Sequence, residues 1–204
     1  MFSSDTIFAD LERAEEGNDL TRCMELCREA LAQIDVPRSK EMYFKLQFRL
    51  ANYLVADGKD RGIEEAIDIL TQLLLGASGG KTGERLAHIH LALGFAFGEK
   101  VLGEKRIHFE STIRHYEEAL KFFTRDTYPE KWASIKAGIG LAYAEKAGQN
   151  DVVRAIENYL DTLDVYTKQE YLEDYEDSIR ELGKLKKRLS DDVQWAKLME
   201  SFEV

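Results

Sequence analysis

The chain has 204 residues, with 28 Lys and Arg against 38 Asp and Glu, a net charge of −10. An acidic balance of that size argues against general nucleic-acid or anionic-membrane binding, and a hydrophobic share of 44% is too high for a disordered chain. Two cysteines cannot build a disulfide framework, and two prolines leave little punctuation for an all-β fold with many tight turns.

The opening stretch MFSSDTIFADLERAEEG has no basic n-region and meets Asp5 and Asp10 early, so no signal peptide is expected. From there apolar residues recur at three and four, the helix period. Ile7, Leu11 and Ala14 form the first stripe, then Leu20, Cys23, Cys27, Ala30, Leu31 and Ile34. Leu46, Leu50 and Tyr53 follow, then Ile63, Ala66, Ile67, Leu70 and Leu74. Leu86, Leu93 and Phe97 make a fifth stripe, and Ile113, Tyr116, Leu120 and Phe123 a sixth. Trp132, Ile139 and Tyr143 come next, then Ala155, Ile156, Tyr159 and Leu163, then Tyr175, Leu182, Leu185 and Leu189. A last short helix is expected over 192–202, with Val193, Ala196 and Met199 inward. No run has period two, so no sheet is expected. Breaks are expected at Gly17-Asn18, Pro37, 58–62, 76–83, 127–129 and 148–151, where glycine and proline suit helix ends. The longest apolar run, LALGFAFG at 91–98, is far short of the ~20 residues a spanning helix needs. A soluble, cytoplasmic protein with reduced thiols is expected.

The stripes repeat. Tyr116 and Tyr159, Thr124 and Thr167, Tyr128 and Tyr171, and Gly140 and Gly183 are all 43 apart. LALGFAFGEK at 91–100 matches AGIGLAYAEK at 137–146, and RLANY at 49–53 matches LGFAF at 93–97. Helical units that recur at such a period signal a solenoid, in which stacked neighbours bury stripes that no pair buries alone.

Leu93-Gly94 with Phe97, and Ile139-Gly140 with Tyr143, resemble the first helix of a tetratricopeptide repeat (TPR). Ala155, Tyr159 and Leu163, and Cys23, Cys27 and Ala30, resemble its second. YPEKWASIKAGIGLAY at 128–143 is similar to a longer variant frequent in cyanobacterial proteins, where it often precedes a caspase-like CHAT peptidase domain. The pattern differs at the ends, with Asp10-Leu11 where a small residue belongs and Tyr175 in place of Trp. The resemblance implies an all-α fold, a right-handed α–α superhelix of about five antiparallel helix pairs in a single domain, 1–204. Its approximate units are 5–36, 39–75, 83–125, 128–168 and 171–203, with the last helix as a cap. It also implies a non-catalytic scaffold or adaptor that binds a protein or peptide in a concave groove, with no catalytic residue, cofactor or metal. Carried over by position, the groove is lined by Phe44, Gln47, Leu54 and Val55, then His88, Leu91, Phe95 and Glu99. The next units give Ala137, Leu141 and Glu145, then Arg180 and Lys184. Phe95 and Leu141 are the expected apolar anchors, and Glu99 and Glu145 favour a partner of basic character.

GASGGKTG at 76–83 has Lys81-Thr82 after glycines, like a phosphate-binding loop, but Leu75 falls where the first glycine belongs and the preceding segment has helical spacing. Nucleotide or phosphate binding there is the alternative to an inter-helix loop. Cys23 and Cys27 share a helix face without the further ligands a zinc site needs, so packing is expected. His88 and His90 point to different faces, and His108 and His115 can share one, with no nucleophile or base beside them. The first 36 residues hold three basic and nine acidic side chains, while GKLKKRL at 183–189 is basic. That asymmetry allows a homo-oligomer, or a regulatory, self-assembling subunit of a separately encoded enzyme.

Overall fold

A computed structural model of the protein describes residues 4–35, 39–77, 83–99, 105–146, 148–189, 195–196 and 200. Among them are nine α-helices and no strand, with chain neighbours packed on one another. They are α1 (Ser4–Glu16), α2 (Leu20–Gln33), α3 (Lys40–Asp57), α4 (Asp60–Ala77) and α5 (Gly83–Glu99), then α6 (Lys105–Leu120), α7 (Pro129–Lys146), α8 (Gln149–Leu163) and α9 (Leu172–Lys186). None is long and apolar enough to cross a membrane. The chain divides into two compact units, Met1–Leu102 and Gly103–Val204.

In the first unit the expected stripes form the core. Ile7, Leu11 and Ala14 of α1 meet Cys23, Cys27 and Ala30 of α2, Leu46, Leu50 and Tyr53 of α3, and Ala66 and Leu70 of α4. The joints follow local chemistry. Asp19 caps α2 by accepting the Arg22 N–H at 2.9 Å, which satisfies one of the orphan donors of that helix end. Gly58 stops α3 in the left-handed region at φ 69°, donating its N–H to the Val55 carbonyl, and glycine bears that conformation without a Cβ clash. The expected break at 58–62 is shorter than the sequence suggested, because α4 starts at Asp60 and carries Gly62 inside it.

In the second unit α7 and α8 run antiparallel. Lys136 pairs with Asp161 at 2.8 Å, Gly140 lies against Tyr159, Arg154 donates to the Tyr143 hydroxyl at 3.4 Å, and Lys146 approaches Asp151 at 3.9 Å. The 43-residue repeat is written into the backbone. After α6 the N–H groups of Phe123, Thr124, Tyr128 and Trp132 bond the carbonyls of Ala119, Phe122, Thr124 and Tyr128. After α8 the N–H groups of Tyr166, Thr167, Tyr171 and Tyr175 bond those of Thr162, Val165, Thr167 and Tyr171. Each bond has its counterpart 43 residues on. Phe123 and Tyr166 fill the same place below the turn, buried to 0% and 7% exposure.

Three expectations need correction or lie elsewhere. Leu54, expected in the groove, is 3% exposed and belongs to the core, because it faces Gly62 of α4. Ala196, expected inward, is exposed, while its neighbour Trp195 is partly buried against the core of the second unit. The stretch 100–104, between α5 and α6, lies outside the described residues. Pro37, the loop residues 78–82, and Val193 and Met199 lie outside the described residues.

Candidate interaction site

The first unit sets α1, α3 and α5 side by side in one direction. Phe8 and Glu15 of α1 meet Arg49 and Tyr53 of α3, and Glu41, Phe44 and Phe48 of α3 meet Arg85 and His88 of α5. Phe44 and Phe48 are four apart, so they share a helix face, and their rings stack at 6.0 Å and 7°. The Arg85 guanidinium lies 4.2 Å from the centroid of Phe44 while its Nη2 reaches Glu41 at 2.6 Å. The His88 ring meets Phe48 edge-on at 6.5 Å. On the other flank Arg49 sits 5.4 Å from the Phe8 centroid and 3.5 Å from Glu15, whose carboxylate also accepts the Tyr53 hydroxyl. Burial, then this bond to a carboxylate, pushes the Tyr53 hydroxyl pKa up.

Between α1 and α3 opens a cavity of about 410 Å³ lined by Phe8, Glu12, Phe44, Lys45, Phe48 and Arg49. Its walls are three rings whose apolar bodies rest on the core, with charges at the edge. Arg49 and Arg85 are each held by a carboxylate, whereas Glu12 and Lys45 form no ion pair among the described residues. An aromatic floor with a charged edge is the make-up of many protein interfaces.

The expected groove residues fall into two groups, one per unit. Phe44 lines the cavity. Gln47 is half-buried, with its Nε2 donating to Tyr43 at 3.1 Å and its Oε1 buried without a partner. His88, Leu91, Phe95 and Glu99 share the outward stripe of α5, with Phe95 41% exposed. In the second unit Leu141 is 51% exposed and Glu145 is exposed on α7. Arg180 and Lys184 are exposed on α9, held by Asp177 and Glu181 at 2.6 Å each. Phe8, Phe48, Arg49 and Arg85 were missed. Their signal was the Phe44–Phe48 spacing on the face of α3 opposite Leu46 and Leu50.

In the second unit α9 runs beside α7 in the same direction. The Tyr171 hydroxyl donates to Glu130 at 2.7 Å at one end, and Arg188 Nη1 donates to the Ala144 carbonyl at 2.8 Å at the other. Beneath that seam stands Tyr159 of α8. Burial pushes its hydroxyl pKa up, and the charges of Glu181, Glu145 and Asp177 push it further.

The two thiols are inert by position. Cys23 and Cys27 are 1% and 0% exposed, and burial pushes the Cys27 thiol up to about 12. At pH 8 the native protein should leave both unmodified by a disulfide thiol reagent, and two equivalents should react once denaturant is added. Rapid native reaction would place these side chains at the surface instead.

No protein-family model matches the chain, and no curated protein matches its sequence.

Proposed function

We propose that the chain is a non-catalytic protein- or peptide-binding module of the cytoplasm, a TPR-like solenoid whose first helices offer their exposed faces to a partner. The observation that carries this reading is the alignment of α1, α3 and α5, which gathers Phe8, Phe44 and Phe48 around one open cavity under charged edges. The parallel setting of α7 and α9 and the 43-residue backbone repeat support the solenoid. An aromatic cluster reached from solvent and framed by Glu12 and Lys45 suits a peptide segment with apolar anchors. Nucleotide binding at 76–83 is less favoured, because a helix, α4, precedes that stretch where a phosphate-binding loop follows a strand.

Affinity capture from the native host tests the reading. The wild-type chain should retain a defined protein that a Lys45→Glu, Phe95→Ala double variant loses, at an unchanged melting temperature. Equal retention by both proteins would count against these faces.

A further inference from the structure

Ile179 and Lys186 are seven apart on α9, so they share one stripe, and Ile179 is 42% exposed. Lys186 Nζ stands 5.1 Å from the centroid of Trp195, which is partly buried against the core of the second unit. Trp195 follows Lys186 by only nine residues, so the chain has turned back beside α9, as in a pair of antiparallel helices. Trp195, Ala196 and Glu200 are helical. Ala196 and Glu200, four apart, are both exposed and mark the outer face. The 43-residue repeat identifies what covers such a stripe. α8 lies along α7 with Asp161 on Lys136 at 2.8 Å and Arg154 on Tyr143 at 3.4 Å. The counterparts of Lys136 and Tyr143 are Ile179 and Lys186, and the counterpart of Asp161 is Val204. Both members of a cross-helix ion pair are thus replaced by apolar residues, which keeps the pair matched. The buried Val152, Ala155 and Ile156 of α8 have Trp195, Leu198 and Met199 as counterparts, all apolar. The lengths agree as well. From Trp195 to Val204 is about 13 Å of helix, and from Lys186 back to Ile179 about 10 Å. Leu198, Met199 and Val204 lie outside the described residues.

We propose that the face of α9 carrying Ile179 and Lys186 is the docking surface of the chain's own segment 192–204. The segment packs there antiparallel, as α8 packs on α7, with Trp195 over Lys186 and Val204 against Ile179. A cation–aromatic contact holds one end of the seat and an apolar pair the other. Docking of this kind withdraws that face of α9 from outside partners. The inference goes beyond the binding-module reading and does not depend on the cavity of the first unit.

The test is NMR spectroscopy of the methyl-labelled full chain. Nuclear Overhauser contacts should join the Ile179 δ-methyl group to the Val204 methyl groups and persist on dilution. Ile179→Asp, at an already exposed position, should loosen the segment and speed tryptic cleavage after Lys197 about tenfold, with cleavage after Lys136 of α7 unchanged. No contact between Ile179 and Val204, or equal cleavage after Lys197 in both proteins, would overturn the seat. Contacts seen only between labelled and unlabelled copies in a mixed sample would overturn it too, and would assign the face to a second copy of the chain.

Discussion

Replacing Phe123 by alanine is expected to cost about 3–5 kcal/mol of stability, the range for truncating a fully buried ring. Phe123 lies beyond the end of α6, in the turn that leads to α7, yet it has 0% exposure. Its ring meets Phe122 and Tyr128 edge-on at 5.5 and 5.3 Å, and Lys131 Nζ stands 4.9 Å over its centroid. Alanine would remove the ring from between these groups and leave a hole that a hydrogen-bonded turn cannot collapse to fill. Phe123→Leu keeps most of the volume and should cost about 1.5 kcal/mol or less. Chemical denaturation reads both, as a fall in midpoint at constant slope. A loss below about 1 kcal/mol for the alanine variant would show that the turn does not depend on this side chain.

Gly138→Ala should destabilise although alanine is the better helix former. Glycine inside a helix costs about 1 kcal/mol relative to alanine, so an open position would gain from the change. At Gly138 the new methyl group would stand 2.6 Å from Cε2, 2.9 Å from Cζ and 3.0 Å from Oη of Tyr116. That ring is 3% exposed, so it has no open space to retreat into. Overpacking of this kind costs about 1–3 kcal/mol, which leaves a net loss of up to about 2 kcal/mol after the gain in helix propensity. Gly183 is the control, since a methyl group there meets nothing within 4 Å, and Gly183→Ala should gain up to about 1 kcal/mol. Tyr116→Leu in the Gly138→Ala background should recover part of the loss, a coupling that a double-mutant cycle measures. Equal stabilisation at both glycines would mean that α6 and α7 do not touch there.

The helices were legible because their buried stripes obey the 3.6-residue period. Ile7, Leu11, Ala14, Cys23, Cys27, Leu46, Leu50, Ala155 and Ile156 all lie where the spacing put them. The repeat was legible too, since Thr124 and Thr167 open turns with matching hydrogen bonds. Gly140, singled out by the repeat pattern, has Tyr159 lying against it. The aromatic cavity was harder to see. In α3 Met42, Phe44, Phe48 and Val55 are apolar beside the buried stripe, because α1, α2, α4 and α5 all surround that helix. One periodicity cannot assign several faces, and the groove positions carried over from the repeat resemblance include Leu54, which is core, and omit Phe48. Side-chain pairs across helices, such as Arg49 with Phe8 or Arg85 with Phe44, depend on a register between α1, α3 and α5 that no local pattern encodes.

The common direction of α1, α3 and α5 has an electrostatic consequence of its own. Each helix ends in the equivalent of about half a positive charge at its amino end, and parallel neighbours bring three such ends to one edge of the first unit. An otherwise acidic chain therefore has a border made electropositive by peptide groups alone. Glu41 and Glu84 stand in the first turns of α3 and α5, where carboxylates are favoured, and Arg85 bridges the two helices at that level. Part of the excess of acidic side chains thus balances backbone dipoles, and the formal charge of −10 overstates how negative that border is.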